Sequence, residues 1–144
     1  MKKILVIYYS QTGQLKRILD SLLRPLAGNP AFSVECLELE PAAAYPFPWT
    51  RNAFLEVFPE SVLEKPIRLK PWAAEHPGEY DLVILAFQPW YLSPSLPVTA
   101  FLQSPAAERI IRGADVLTLI GARNMWVKSF ERVKERLETL GGRL

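Results

Sequence analysis

The residues with the clearest chemical capability lie near the start of the chain, in Ser10-Gln-Thr-Gly-Gln-Leu15. Hydroxyls can donate to an anion, and glycine lets backbone approach a ligand closely. The first amides of a following helix would point outward, with the positive end of its dipole behind them. This is the chemistry of a phosphate cradle. It is not the nucleoside-triphosphate kind, because no Gly-Lys-Ser/Thr follows, and the further glycines of a dinucleotide fingerprint are absent. The plain alternative is a strand-to-helix turn capped by Ser10 or Thr12 that holds no ligand. Two more stretches place aromatic and polar groups just after apolar runs: Gln88-Pro-Trp-Tyr-Leu-Ser-Pro-Ser95 and Gly121-Ala-Arg-Asn-Met-Trp126. Other chemistries lack material. One histidine, His76, and one cysteine, Cys36, supply neither a zinc ligand set nor a Cys–His nucleophile pair.

The elements that must position these groups are legible in the hydrophobic pattern. Ile4 to Tyr9 and Leu82 to Phe87 are continuous apolar runs, as in strands buried on both faces of a parallel sheet. Leu15, Ile18, Leu19, Leu22, Leu23 and Leu26 recur with helical spacing and predict one buried helix face. Gly28 and Pro30 stop that helix. Phe32 to Leu39 alternates with period two, as a half-exposed edge strand does, and Cys36 is expected to be a buried residue of it. His76 should lie at the opposite end of the sheet from the cradle. Ser93 or Ser95 can cap a helix begun near Pro97, with Val98, Phe101 and Leu102 facing the core. A further helical turn carries Ile110 and Ile111 and closes at Gly113. Val116 to Ile120 is a fourth strand. The last helix carries Trp126, Phe130, Val133, Leu137 and Leu140 on one face and ends at Gly141-Gly142. Alternating strands and helices imply an α/β domain with a doubly wound parallel sheet. Ligands of such sheets lie beyond the carboxyl ends of the strands, where the three loops are.

Residues 41 to 77 differ from the rest, with seven of the thirteen prolines among Tyr45, Phe47, Trp49, Phe54, Phe58 and Trp72. A short helix from Arg51 to Val57, or on to Leu63, is the only regular element that fits there. Such a segment serves either as a rigid cover over the sheet or as a wall of a substrate pocket.

Composition bounds the answer further. With 144 residues and 49% of them apolar, the chain makes one globular domain. Its apolar runs are too short to span a bilayer, and Met1-Lys-Lys3 opens no secretory signal. A lone cysteine fits a cytoplasmic protein. The net charge of +2 is spread through mixed acids and bases, leaving no stripe for nucleic acid.

A phosphate cradle beside two aromatic-bearing loops suits a flat, phosphorylated ring, and flavin mononucleotide (FMN) is the expected ligand. Ser10-Gln-Thr-Gly-Gln-Leu15 resembles the phosphate loop of flavodoxins, departing at Leu15, where that pattern closes with a hydroxyl. Together the three loops resemble the flavodoxin superfamily along the whole chain. Tyr45-Pro-Phe-Pro-Trp-Thr50, Gln88 to Ser95 and Ile120 to Trp126 also resemble a narrower group, the flavodoxin-like proteins known as dialkylresorcinol condensing enzymes.

The resemblance implies strand order 2-1-3-4 with a fifth strand missing. The domain, residues 1–144, would then be C-terminally incomplete, or the edge at Val116 to Ile120 would be covered by another chain. It implies a phosphate held by Ser10, Gln11, Thr12, Gly13, Gln14 and Leu15. The ring would sit against Pro89, Trp90, Tyr91 and Leu92 on one loop and Gly121, Ala122, Arg123, Asn124 and Trp126 on the other. It further implies a flavin-dependent oxidoreductase acting on a small ring substrate such as a cyclic dione. From their positions, Tyr91 could relay a proton and Arg123 could polarise a substrate oxygen, with Trp49 and Phe54 as a lid; both could equally be ordinary surface residues. Two other readings stay open. One is an electron-carrying flavodoxin, which the mildly basic charge disfavours, since those carriers are typically acidic. The other is a flavin-free scaffold domain of the same fold.

Overall fold

A computed structural model describes all residues, 1–144. The main sheet holds four parallel strands, β1 (Lys2–Tyr8), β2 (Phe32–Glu38), β3 (Leu82–Phe87) and β6 (Asp115–Ile120), in the order β2-β1-β3-β6. Between β3 and β6 the chain adds a small ribbon, β4 (Pro89–Trp90) with β5 (Ser93–Pro94). The expected order 2-1-3-4 is therefore observed, β6 being the fourth strand of the main sheet. Helices α1 (Gln14–Leu23), α2 (Arg51–Val62), α3 (Leu96–Leu102), α4 (Pro105–Ile111) and α5 (Val127–Thr139) complete the chain. No helix is long and apolar enough to cross a membrane.

Alternation along each strand sorts the core into two faces. Leu5, Ile7, Val83, Leu85, Phe87 and Val116 point to one, where Val98 and Phe101 of α3, Ile110 of α4, and Val133 and Leu137 of α5 close over them. Ile4, Val6, Tyr8, Ile84 and Ala86 point to the other, which meets Leu15 and Leu19 of α1. A helix about 10 Å across covers roughly two strands spaced about 4.8 Å apart. The helix face predicted at full width is consequently buried only in its middle. Ile18 and Leu22 are each 43% exposed, and Leu117 of β6, on the same side of the sheet, is 47% exposed.

Cys36 corrects a second expectation. It lies in β2 as anticipated, but its thiol is exposed, because β2 is an edge strand and α1 does not reach over it. At the other edge, β6 takes one parallel partner residue: Arg143 bridges Asp115, and its carbonyl accepts from the Val116 amide at 2.7 Å. Beyond Val116 the outer edge of β6 makes no ladder.

The segment between β2 and β3 is stapled at its base. Pro41 bridges Leu69 antiparallel, and Lys70 N donates to the Glu40 carbonyl at 2.7 Å. Within the segment, Thr50 caps α2 by accepting from Ala53 N at 3.2 Å. The helix then runs to Val62 with Pro59 inside it, at the longer of the two extents that the sequence allowed.

The tyrosines make a pH prediction. The phenols of Tyr8, Tyr9, Tyr45 and Tyr80 are pushed up to about 12, in each case chiefly by burial. Glu38 beside Tyr8 and Tyr9, Glu60 near Tyr45, and the hydrogen bond of Tyr80 to Glu35 add to the effect. In the unfolded chain the same phenols ionise near 10. Above that pH the unfolded state sheds protons that the folded state keeps. Their contribution to stability is thus whole below pH about 10 and is lost as pH rises toward about 12. A urea midpoint that falls across that window, with tyrosinate absorbance emerging in the same step, is the expected result. A midpoint flat across it, with phenols titrating near 10, overturns the assignment.

Candidate functional site

The three loops anticipated from the sequence meet beyond the carboxyl ends of β1, β3 and β6. The first turns at Gly13, whose φ of 82° places it in the left-handed region that favours glycine. Helix α1 starts there, its first bond running from Arg17 N to the Gly13 carbonyl at 3.0 Å. Ser10 Oγ accepts from Lys16 N and Thr12 Oγ1 from Gln14 N, both at 3.4 Å. The amides of Gln11, Thr12, Gly13 and Leu15 donate to no acceptor within the chain. Two hydroxyls and four amides without a partner in the chain thus lie at the positive end of a ten-residue helix, an arrangement that attracts an anion.

A groove of about 510 Å³ leads away from this turn, lined by Gln14, Leu15, Ile18, Gln88, Gly121 and Arg123 among others. It continues into a second hollow of about 320 Å³ that shares Gln88, Gly121, Ala122 and Arg123 and reaches Asn124, Pro89 and Trp90. Gly121 lines both hollows as bare backbone. A Cβ there would lie 3.3 Å from Leu15 Cδ1 and 3.5 Å from Gln88 Cγ. Volumes of this size and mixed lining suit a cofactor-sized ligand.

Trp90 is the hub of an aromatic cluster. Its ring meets Tyr45 at 5.1 Å, Trp49 at 5.6 Å and Tyr9 at 6.0 Å, all edge to face. Tyr91 and Leu92 form the two-residue turn between β4 and β5, with φ of 50° and 66°. Such turns favour Asn-Gly, and bulky residues there are strained by about 1–3 kcal/mol each. Tyr91 is fastened in place by its hydroxyl, which donates to the Phe54 carbonyl, and by Phe54 and Phe58 rings at 4.9 and 4.7 Å. Between α2 and this turn lies an apolar slot of about 150 Å³, lined by Trp49, Phe54, Val57, Pro89, Trp90 and Tyr91.

The residues singled out from the sequence are distributed unevenly. Gln14, Leu15, Gly121, Ala122, Arg123 and Asn124 line the groove and its extension, Ser10 to Gly13 form the turn that leads into it, and Pro89 and Trp90 line both the far hollow and the slot. Gln11 turns its side chain to the cover, donating to the Pro46 carbonyl at 3.2 Å. Leu92 and Trp126 are exposed, Trp126 lying 6.2 Å from Phe130. Ser95 takes the cap position of α3 without a side-chain bond, and Ser93 Oγ instead accepts from Arg132 at 2.6 Å. His76 lies at the far end of the sheet, its amide donating to Tyr80 Oη at 3.1 Å. Gln88 was missed as a lining residue. The signal was there: it is the polar residue that ends the apolar run Leu82 to Phe87. Tyr9, which supports Trp90, gave no local signal, whereas Tyr45 was visible only as one aromatic of the proline-rich segment.

Comparison with solved structures places this geometry in a known fold. A flavoprotein from Lactobacillus acidophilus NCFM in complex with FMN superposes with a TM-score of 0.75 at 15% identity, over 96% of this chain and 87% of that one. The fold is flavodoxin-like. The apo form of the Lactobacillus flavoprotein gives a TM-score of 0.63 at 15% identity, over 99% and 89% of the two chains. A Fusobacterium nucleatum flavodoxin bound to FMN gives 0.55 at 14% identity, over 99% and 68%. No protein-family model matches the sequence, and no curated protein matches it. Within the flavodoxin-like sheet, β1 and β3 are the central strands, and the groove opens beside the loops that leave them.

Proposed function

We propose that the chain binds FMN along this groove and, with it, oxidises a small ring substrate such as a cyclic dione bearing apolar substituents. The carrying observation is the set of free amides at Gln11, Thr12, Gly13 and Leu15, placed at one end of a groove that reaches Trp90 at the other. In support, two structures of the same fold are complexes with FMN.

The residues present fit that group. A phosphate on the amides of residues 11 to 15 would be met by the Ser10 and Thr12 hydroxyls, and the bare Gly121 would let a flat ring lie close to the sheet. When bound, FMN would take up the two electrons and accompanying hydrogen that a cyclohexanedione loses on becoming a resorcinol. The chain itself binds, orients and keeps out water. Trp49, Phe54 and Trp90 in the slot would take the apolar substituents, with α2 as cover. Arg123, exposed at the groove, would stand opposite a substrate oxygen. Tyr91 is assigned a positioning role, because its hydroxyl proton is already given to the Phe54 carbonyl.

The experiment has two stages. Titration of the purified protein with FMN should quench flavin fluorescence and saturate at one equivalent; absence of saturation rejects the cofactor. The oxidised complex is then mixed anaerobically with a 2,5-dialkylcyclohexane-1,3-dione. Loss of the visible flavin absorbance, with a resorcinol appearing in equal amount, is the expected result. A complex that ignores the dione, yet is reduced by a reductase and passes electrons on, is a carrier.

A further inference from the structure

A separate cavity of about 370 Å³ lies between the end of α2, helix α3 and helix α5, and shares no lining residue with the groove. Glu64, Thr99, Gln103, Arg132 and Arg136 supply its polar lining. The two arginines are one helical turn apart on α5, so their side chains share one side of the helix. Each is anchored by only part of its fork. Arg132 Nη1 donates to Ser93 Oγ at 2.6 Å and to the Val62 carbonyl at 3.1 Å; Arg136 Nε donates to the Leu102 carbonyl at 3.1 Å. Nε and Nη2 of Arg132 and both Nη groups of Arg136 find no acceptor in the chain.

Counter-charge is scarce here. Glu64 approaches Arg132 Nη1 at 3.6 Å, and no carboxylate pairs with Arg136. Glu64 is held by its backbone, at a φ of 50°, and by Gln103 Nε2, which donates to its carbonyl at 2.9 Å. Two cations therefore face one anion in a cleft, with donors oriented by their own anchors. Guanidinium forks match oxyanions, phosphate among them, and both forks here line one cavity with N–H groups left to donate. We infer that this cavity binds a small phosphate-bearing molecule, its oxyanion held between Arg132 and Arg136 with Glu64 as the group it competes against. Because Arg132 also holds the end of α2 and Ser93, the same anion would bear on the cover and on the turn that carries Tyr91.

Inorganic phosphate is the probe, followed by residue-resolved NMR of the whole protein. Saturable shifts are expected at Gln103 and at the Nε of Arg132 and Arg136, distinct from any shifts at Gln11 to Leu15, which report on the phosphate loop. Arg136→Gln should weaken binding at the cavity about tenfold, the loss of a hydrogen bond to a charged group. Glu64→Gln should tighten it several-fold, a gain that a misfolded variant would not show. Shifts confined to residues 11 to 15, or a cavity affinity unmoved in both variants, would overturn the assignment.

Discussion

Changing Ser10→Ala and Thr12→Val together should lower FMN affinity by about two to four decades. A hydrogen bond to a charged group is worth about 1.5–3 kcal/mol, and two such donors are removed; as neighbours they need not add fully. The fold should scarcely notice. In the protein alone these hydroxyls accept only from the amides of Lys16 and Gln14, each at 3.4 Å, longer than a well-formed bond. Flavin titration of the two proteins reads the first effect and urea unfolding the second. Equal affinity in a variant of unchanged stability would remove the phosphate from this loop, whatever else the groove binds.

The largest expected effect on stability is Phe101→Ala, at about 3–5 kcal/mol. Phe101 is fully buried at the centre of the helical face, and its ring meets Trp72 at 5.5 Å. Trp72 lies on the return of the segment that covers the slot, so the cavity left behind would undercut the cover as well as the core. Urea unfolding should show a lower midpoint with an unchanged slope. A loss under about 1 kcal/mol would mean that α3 collapses into the space and that the cover rests on the aromatic cluster alone.

The sheet was legible because its signals are local. Continuous apolar runs mark β1 and β3, period-two alternation marks β2, and Ser10 to Gly13 marks the turn between the first strand and its helix. What escaped depends on partners far away in sequence. Whether a patterned residue such as Ile18 or Leu22 is covered is decided by how many helices share its side of the sheet, which its own spacing does not record. Cys36 escaped for the same reason, since its exposure is set by the width of α1. Trp90 was visible as a loop aromatic, but Tyr9, Tyr45 and Trp49, which surround it, arrive from two other segments. The hydroxyl of Tyr91 looked free for proton chemistry because Phe54, whose carbonyl accepts its hydrogen bond, lies 37 residues earlier.

The open edge of β6 divides one strand into two kinds of amide. Val116 points its N–H outward to the Arg143 carbonyl, so by alternation Thr118 and Ile120 also turn theirs outward, where no strand follows. Leu117 and Leu119 turn theirs inward to the β3 ladder. Exchange with solvent deuterium therefore alternates residue by residue along Leu117 to Ile120. The inward amides wait for cooperative opening of the sheet, while their neighbours trade hydrogen from the folded state.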